Sequence, residues 1–363
     1  MSLLTRDEVR PWAKAMAREV AAGTMPPWHA SPDHGRFAND RRLPDGDRDA
    51  LLAWVAAGSP AGEPAQAPIP PAYGSGWTIG EPDLVIELPA SVTVPASGEV
   101  PYHDYVVDPG FREDVWVRAA ETRPGNRDVV HHIIVDYVIE DPLVRRRLAR
   151  AGLDSRVQGS LGGWVPGDEP LVLGDGLARL IPAGAKIHFQ MHYTPTGKVE
   201  TDLSRLGLVL AKGPPLHEVH TGIASSPFIN IPAGSSDRTL QADFTFARAS
   251  VLLSMRPHLH LRGKSFEFRA HYPDGGEEIL LWVPDYDFGW QTSYVLAEPK
   301  PMPAGTRLVV TGAWDNSSAN PDNPDPGATV SWGEQTSDEM MIGFFEYYEA
   351  GAEGEGANEG GGR

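Results

Sequence analysis

Beyond residue 78, hydrophobic and polar positions alternate in short runs. "DLVIEL", "HDYVVD", "DVWVRAA" and "VVHHIIVDYV" are followed by "AKIHFQMHYT", "LGLVLA", "VLLSMRPHLHL", "SFEFRAHY", "EEILLWV", "TRLVVTGAW" and "MIGFFEYY". A period of two places one face of each run in a core, the signature of a half-buried strand. Pro, Gly, Asp and Asn separate the runs, as in β-sandwiches. Residues 79–349 are long for one sandwich and suit two, joined near "AKGPPL", so we expect sandwiches over 79–212 and 213–349. Residues 1–60 carry a helical pattern instead. Thr5 and Glu8 have capping-box spacing. A helix is expected from Pro11 to Ala22, closed by Gly23. A second runs from about Asp47 to Ala57, with Leu51, Trp54 and Val55 on one face and Gly58 as its stop. A Pro/Ala/Gly-rich linker is expected over 61–78, and a disordered tail over 350–363.

The chain has 363 residues, with 34 prolines and 39 glycines, a supply of turn residues that suits short strands. Its formal net charge is −18. No clustered basic patch is present, so nucleic acid is not an expected partner. The run "RRRLAR" (Arg145 to Arg150) reads as an exposed helix face. Cysteine is absent, which excludes disulfides, thiolate metal sites, cysteine nucleophiles and covalently anchored haem within this chain. No run has the length of a transmembrane helix. The N-terminal "MSLLTRDEVRPWAKAM" lacks a basic n-region and a long apolar stretch, so it is not a signal peptide.

Candidate chemistry lies in the histidines, of which there are twelve. In "RPHLHLRGK", His258 and His260 are two residues apart, which on a strand puts them on one face about 7 Å apart. They read either as metal ligands or as surface residues of an edge strand, which Pro257 allows. In "KIHFQMHYTPTG", His188, Gln190 and His192 share the polar face, with the histidines about 13 Å apart, too far for one ion. "VVHHIIVDY" sets His131 beside His132 inside an apolar strand. Neighbouring strand residues point to opposite faces, so either one is packed and one exposed, or a bulge lets both reach one ligand. Met340 and Met341 precede an apolar strand; methionine there is usually core, while as a ligand its soft sulfur selects Cu(I). "HEVH" has the wrong spacing for a zincin helix, and no nucleophile elbow, Walker A or dinucleotide fingerprint occurs.

Taken in order, His-His, "QMHY", "HLH" and "DEM" resemble the copper type II, ascorbate-dependent monooxygenases, the family of dopamine β-monooxygenase and peptidylglycine α-hydroxylating monooxygenase. The resemblance covers roughly residues 80–348 and is carried by short motifs. It implies a mainly β fold of two tandem jelly-roll-like β-sandwiches, here preceded by a small α-helical segment, with one copper in each sandwich. By motif, His131, His132 and His192 would hold the first copper, and His258, His260 and Met340 the second. His188 would stay a polar-face residue. The implied catalytic set is His258, His260, Met340 and Gln190, the last matching a family position that orders solvent. The implied reaction hydroxylates a C–H bond of a small organic substrate. One oxygen atom of O2 goes to product and one to water, and ascorbate or a cytochrome supplies electrons. Arg256 matches a substrate-carboxylate position of the peptide-amidating branch. That branch has Asn and Tyr two and four residues after its ligand methionine, where this chain has Ile342 and Phe344.

The sequence more closely resembles bacterial relatives of that family, through "MHYTPTG", "HLHLRGKSF", "YDFGWQ", "WDNSSANPDNPDP" and "SDEMMIGFF". In the fourth motif Asp315, Asn316 and Asn320 read as a structural turn cluster. Such relatives often carry an upstream c-type cytochrome domain, and residues 1–60 resemble the rear part of one. Met25 in "TMPPW" would be the axial haem ligand, but only with a C-x-x-C-H motif upstream of this chain. A longer natural protein, periplasmic or extracellular, is the corresponding expectation. Two other classes compete with the oxygenase: a copper-binding or electron-transfer protein on the same scaffold, and a structural sandwich with solvated histidines. A zinc hydrolase is a weaker further reading, because Met340 does not suit zinc.

Overall fold

The computed structural model describes residues 3–63, 76–150, 158–167 and 169–351. The fold is mainly β and sandwich-like, with a small helical segment at the start. The chain forms two compact units: residues 74–221 with 346–363, and residues 1–73 with 222–345. The expected junction near 212 is therefore followed by the strand His217–Ser225, within which the chain passes from one unit to the other. Most of the expected linker and tail (residues 64–75 and 352–363) lies outside the described residues.

In the first unit, one sheet has the strand order His103–Val107, Lys186–Tyr193, Val130–Val138, Gln158–Trp164. A second sheet runs Leu84–Glu87, Arg205–Leu210, Val115–Arg123, Leu177–Ile181. Their apolar faces meet in one core. Ile133, Val135, Ile187, Phe189 and Met191 come from the former, and Ile86, Val117, Leu206 and Leu208 from the latter. The period-two pattern is clean on Lys186–Tyr193, where Ile187, Phe189, Met191 and Tyr193 are buried and His188, Gln190 and His192 are half-buried on the other face. That alternation fixes which side of the sheet the histidines occupy, because a one-residue slip would exchange the faces.

The second unit has a four-stranded antiparallel sheet in the order Arg238–Thr245, Arg307–Trp314, Gly263–His271, Glu277–Val283. Ser250–His258 pairs with Tyr294–Met302. Phe266, Phe268, Met255, Leu308, Val310 and Phe345 are buried here.

The helical pattern at the N-terminus forms Arg6–Val9, Ala13–Ala22 and Asp45–Ala56. Thr5 and Glu8 make the reciprocal capping box, and Gly23 ends its helix at φ 76. The single helix expected from Pro11 is instead a 3-10 turn, Arg10–Trp12, leading into Ala13–Ala22. Proline has no N–H to donate, so it sits in a first turn rather than inside a helix. The segment after these helices does not stand apart. Phe37 bridges Leu296 in antiparallel fashion. Ala38 N–H donates to Val295 O (2.8 Å), Ala297 N–H to Arg36 O (2.8 Å) and Ser31 N–H to Trp282 O (2.7 Å). Residues 31–39 thus form a short strap whose residues 36–38 lie along the edge of Tyr294–Met302, while Ser31 ties it to Glu277–Val283. Covering an edge in this way removes a template for unwanted pairing.

Arg145, Arg146 and Arg150 are exposed on the helix Pro142–Arg150, as the basic run suggested. No helix among the described residues is long and apolar enough to cross a membrane.

Candidate metal centre

The adjacent histidines are resolved by a bulge. Val130 pairs with Tyr193 and His132 with His192, so the register shifts and His131 is the extra residue. An inserted residue of this kind re-aims its side chain. His131, His132 and His192 thereby converge, each offering one ring nitrogen, with those nitrogens within 4.8 Å of one another. Ring centroids are 4.9 Å apart for His131–His192 and His132–His192, and 5.3 Å for His131–His132. The Nδ1 atoms of His131 and His132 are 3.1 Å apart. Two such nitrogens at that distance must share either a proton or a cation. His192 Nδ1 is buried without a hydrogen-bond partner. Burial, with the nearby His131, pushes the His192 pKa down to about 4, and burial also lowers His131. Both imidazoles are therefore neutral near pH 7, the form that binds metal. Tyr102 stacks on His192 with centroids 4.6 Å apart, which fixes the ring plane.

His188 stays outside this cluster. Its Nε2 meets Asp104 Oδ1 at 2.9 Å, and Asp136 stands 3.9 Å from its Nδ1. The two carboxylates, Asp136 first, raise its pKa against the opposing effect of burial. A raised histidine pKa gives stability that is full below the unfolded value of about 6.5 and is lost as pH rises through the folded value. His188→Gln is therefore expected to cost under about 1 kcal/mol at pH 5.5 and almost nothing at pH 9, because Asp104 is largely exposed. Denaturant melts at the two pH values test this; a pH-independent cost would remove the ion pair from the account. Gln190 lies between His188 and His192 on the same face, opposite Asp104 and Ile134.

The strand Ser250–His258 ends at His258, and His260 follows just beyond it. The two rings still converge, with centroids 5.2 Å apart. The tautomer of His258 follows from its partner. Gln291 donates Nε2–H to Phe288 O (3.2 Å), so its Oε1, 2.6 Å from His258 Nδ1, must accept from that nitrogen. His260 Nδ1 faces the carbonyl of Asp338 (3.3 Å), which can only accept. His258 therefore carries the proton on Nδ1 and leaves Nε2 as its free donor atom, while His260 is held by the backbone carbonyls of Asp338 and Gln335. This is the arrangement by which outer hydrogen bonds prepare histidine ligands. Burial pushes His258 down to about 4 and lowers His260.

A residue that sequence reading passed over organises this second set. Glu339 is fully buried, and its carboxylate accepts from His260 N–H (2.9 Å), Arg262 N–H (2.7 Å) and Trp314 Nε1–H (2.9 Å). Burial pushes its pKa up to about 7 despite these donors. It ties the "HLH" segment to the "DEM" loop and so sets where Met340 begins. Met340 itself is half-buried, and Met341 is fully buried core. The available signal was an acidic residue directly before the methionine. The Asp315–Asn320 motif is the structural turn expected of it. Asn316 accepts from Arg262 Nε (2.8 Å), and Asn320 donates to Leu261 O and Asp315 O.

Arg256 lies two residues before His258, with its guanidinium over the Phe344 ring at 5.0 Å. Met25 is 43% exposed, in the turn beyond the helix Ala13–Ala22. With no cysteine to anchor haem, the residues present do not form a c-type haem site. Three further histidines have local partners: His217 stacks on Tyr348 (4.5 Å), His271 meets Glu277 (3.0 Å) and His103 meets Tyr105 (3.4 Å).

No protein-family model matches the chain, and no curated protein matches it. Among solved structures, it is similar to a protein described as secreted from Eubacterium rectale (9% identity, 68% of this chain and 69% of that one, TM-score 0.20). It is also similar to the VP2 subviral particle of infectious bursal disease virus (11% identity, 77% and 84%, TM-score 0.19). A third is the Macrobrachium rosenbergii nodavirus (11% identity, 79% and 98%, TM-score 0.18). Likenesses at these TM-scores carry no argument about function. What stands on the chain's own geometry is a three-histidine cluster able to hold a metal ion.

Proposed function

We propose that the protein is a copper-dependent monooxygenase that hydroxylates a C–H bond of a small organic substrate, with one copper in each unit. The observation that carries the reading is the His131–His132–His192 cluster: three converging imidazoles, one built by a bulge and one with an orphaned buried Nδ1. An orphaned buried nitrogen costs about 1–3 kcal/mol unless a ligand takes it up. All-imidazole donors suit an ion that cycles between Cu(II) and Cu(I), while a methionine sulfur beside two imidazoles favours Cu(I). His258, His260 and Met340 supply the second donor set.

Copper bound at these residues would supply one-electron redox chemistry and O2 activation. The chain's own groups do the rest. Gln291 holds the proton on His258 Nδ1, and the Asp338 and Gln335 carbonyls hold the His260 ring. Glu339 fixes the backbone of His260. Arg256, beside His258, offers a cation to an anionic group of the substrate. The balance is RH + O2 + 2e⁻ + 2H⁺ → ROH + H2O. Electrons come from an external reductant, ascorbate or a cytochrome.

The test is to load the protein with copper, desalt it, count metal per chain and follow ascorbate-driven oxygen uptake. Two coppers are expected in the wild type. His258→Ala and Met340→Ala should each keep the first copper and lose oxygen uptake. Unchanged uptake in both variants refutes the assignment. A wild type with copper only at the three-histidine cluster supports the copper-binding or electron-transfer reading instead.

A further inference from the structure

The N-terminal strap does more than cover an edge. Asn39 is half-buried and uses both ends of its amide on the segment that carries Gln291. Its Nδ2–H donates to Ser293 O (2.7 Å), and its Oδ1 accepts from Val295 N–H (3.0 Å). The orientation is unambiguous, because a carbonyl can only accept and a backbone N–H can only donate. Gln291 lies two residues before Ser293, and its carbonyl oxygen is the acceptor that holds the proton on His258 Nδ1. On the far side, Val295 pairs with Ser254 of the strand that ends in His258.

The strap is seated by more than this amide. Phe37 is buried and packs against Trp28 and Tyr294, with centroids 5.8 Å and 5.4 Å away. Gly35 has φ +68, and a Cβ there would strike Leu280 O. Only glycine allows the strap to run this close.

We infer that Asn39 is a positioning residue for the second metal set, acting through Gln291 to hold His258 with its Nε2 free. Residues 28–39 are then a functional part of the second site rather than the trailing end of a separate module. The inference rests on the proposed metal role of His258 for its meaning, but the tautomer it predicts exists without metal.

The experiment reads that tautomer directly, by imidazole ¹⁵N resonances of the full, metal-free chain at neutral pH. Wild type should show His258 as a single Nδ1–H tautomer. Gln291→Leu removes the acceptor and should give a mixture. Gln291→Leu should weaken copper at the second set about tenfold or more, the usual loss for a direct outer partner of a ligand, and Asn39→Ala should move His258 toward the same mixture with a smaller loss of copper affinity. Asn39→Asp keeps the acceptor for Val295 and should recover part of the wild-type signature. Phe37→Ala loosens the seat of the whole strap, so it should lower Tm and move the His258 tautomer in the same direction as Asn39→Ala. If Gln291→Leu shifts the tautomer and neither Asn39 variant does, the inference is overturned and the copper reading stands. If the tautomer responds as expected but neither set binds copper, the proposed function fails and the clamp survives.

Discussion

A His131→Ala, His192→Ala double variant is expected to hold one copper fewer per chain than the wild type. Three imidazole nitrogens within 4.8 Å of one another form the donor set of this centre among the described residues. Removing two leaves a single histidine, which does not hold an ion against desalting. Stability of the metal-free protein should change little. His192→Ala deletes a buried, unpartnered Nδ1, relieving about 1–3 kcal/mol, and loses the stacking contact with Tyr102 in exchange. The wild type should also gain Tm on adding copper, because a ligand that binds only the folded state stabilises it by mass action. The double variant should lose the part of that gain due to this centre. Circular dichroism confirms the fold, and metal analysis after desalting gives the count. Copper content equal to wild type would end the account in which the bulge at His131 builds a site.

The period-two runs were enough to show a mainly β chain with sandwiches, because each strand carries its own inside and outside. Lys186–Tyr193 illustrates this: its alternation alone placed His192 on the polar face and Met191 in the core. The adjacent pair His131–His132 could be read only as a choice between two arrangements. A bulge is a register event between strands, and register to the strand Lys186–Tyr193, 50 or so residues on, is not written in a local pattern. The strap at residues 31–39 was illegible for a different reason. It is too short and irregular to show a period, and its partners at 282 and 293–297 are distant in sequence. Glu339 was missed because a buried carboxylate looks like any other acid until its three donors are seen.

Glu339→Leu should therefore damage the second unit far more than a typical surface change. Leucine has nearly the right bulk, so packing is not the main loss. Three buried donors, His260 N–H, Arg262 N–H and Trp314 Nε1–H, would be left without an acceptor. Each orphan costs about 1–3 kcal/mol, so the sum reaches at least about 3 kcal/mol, a large share of a domain's usual 5–15. Arg262, only 2% exposed, would also lose the carboxylate that does most to balance its charge. Glu339→Gln separates the two effects. With its oxygen at the Oε2 position, the amide still accepts from His260 and Trp314 and fails only Arg262. It should cost about one orphaned donor and retain copper at the second set. The leucine variant should lose that copper, because the link between the "HLH" segment and the "DEM" loop is gone. Denaturant melts measure the stabilities and metal counting the occupancy. If leucine and glutamine behave alike in both, the carboxylate is not what joins His260 to Met340.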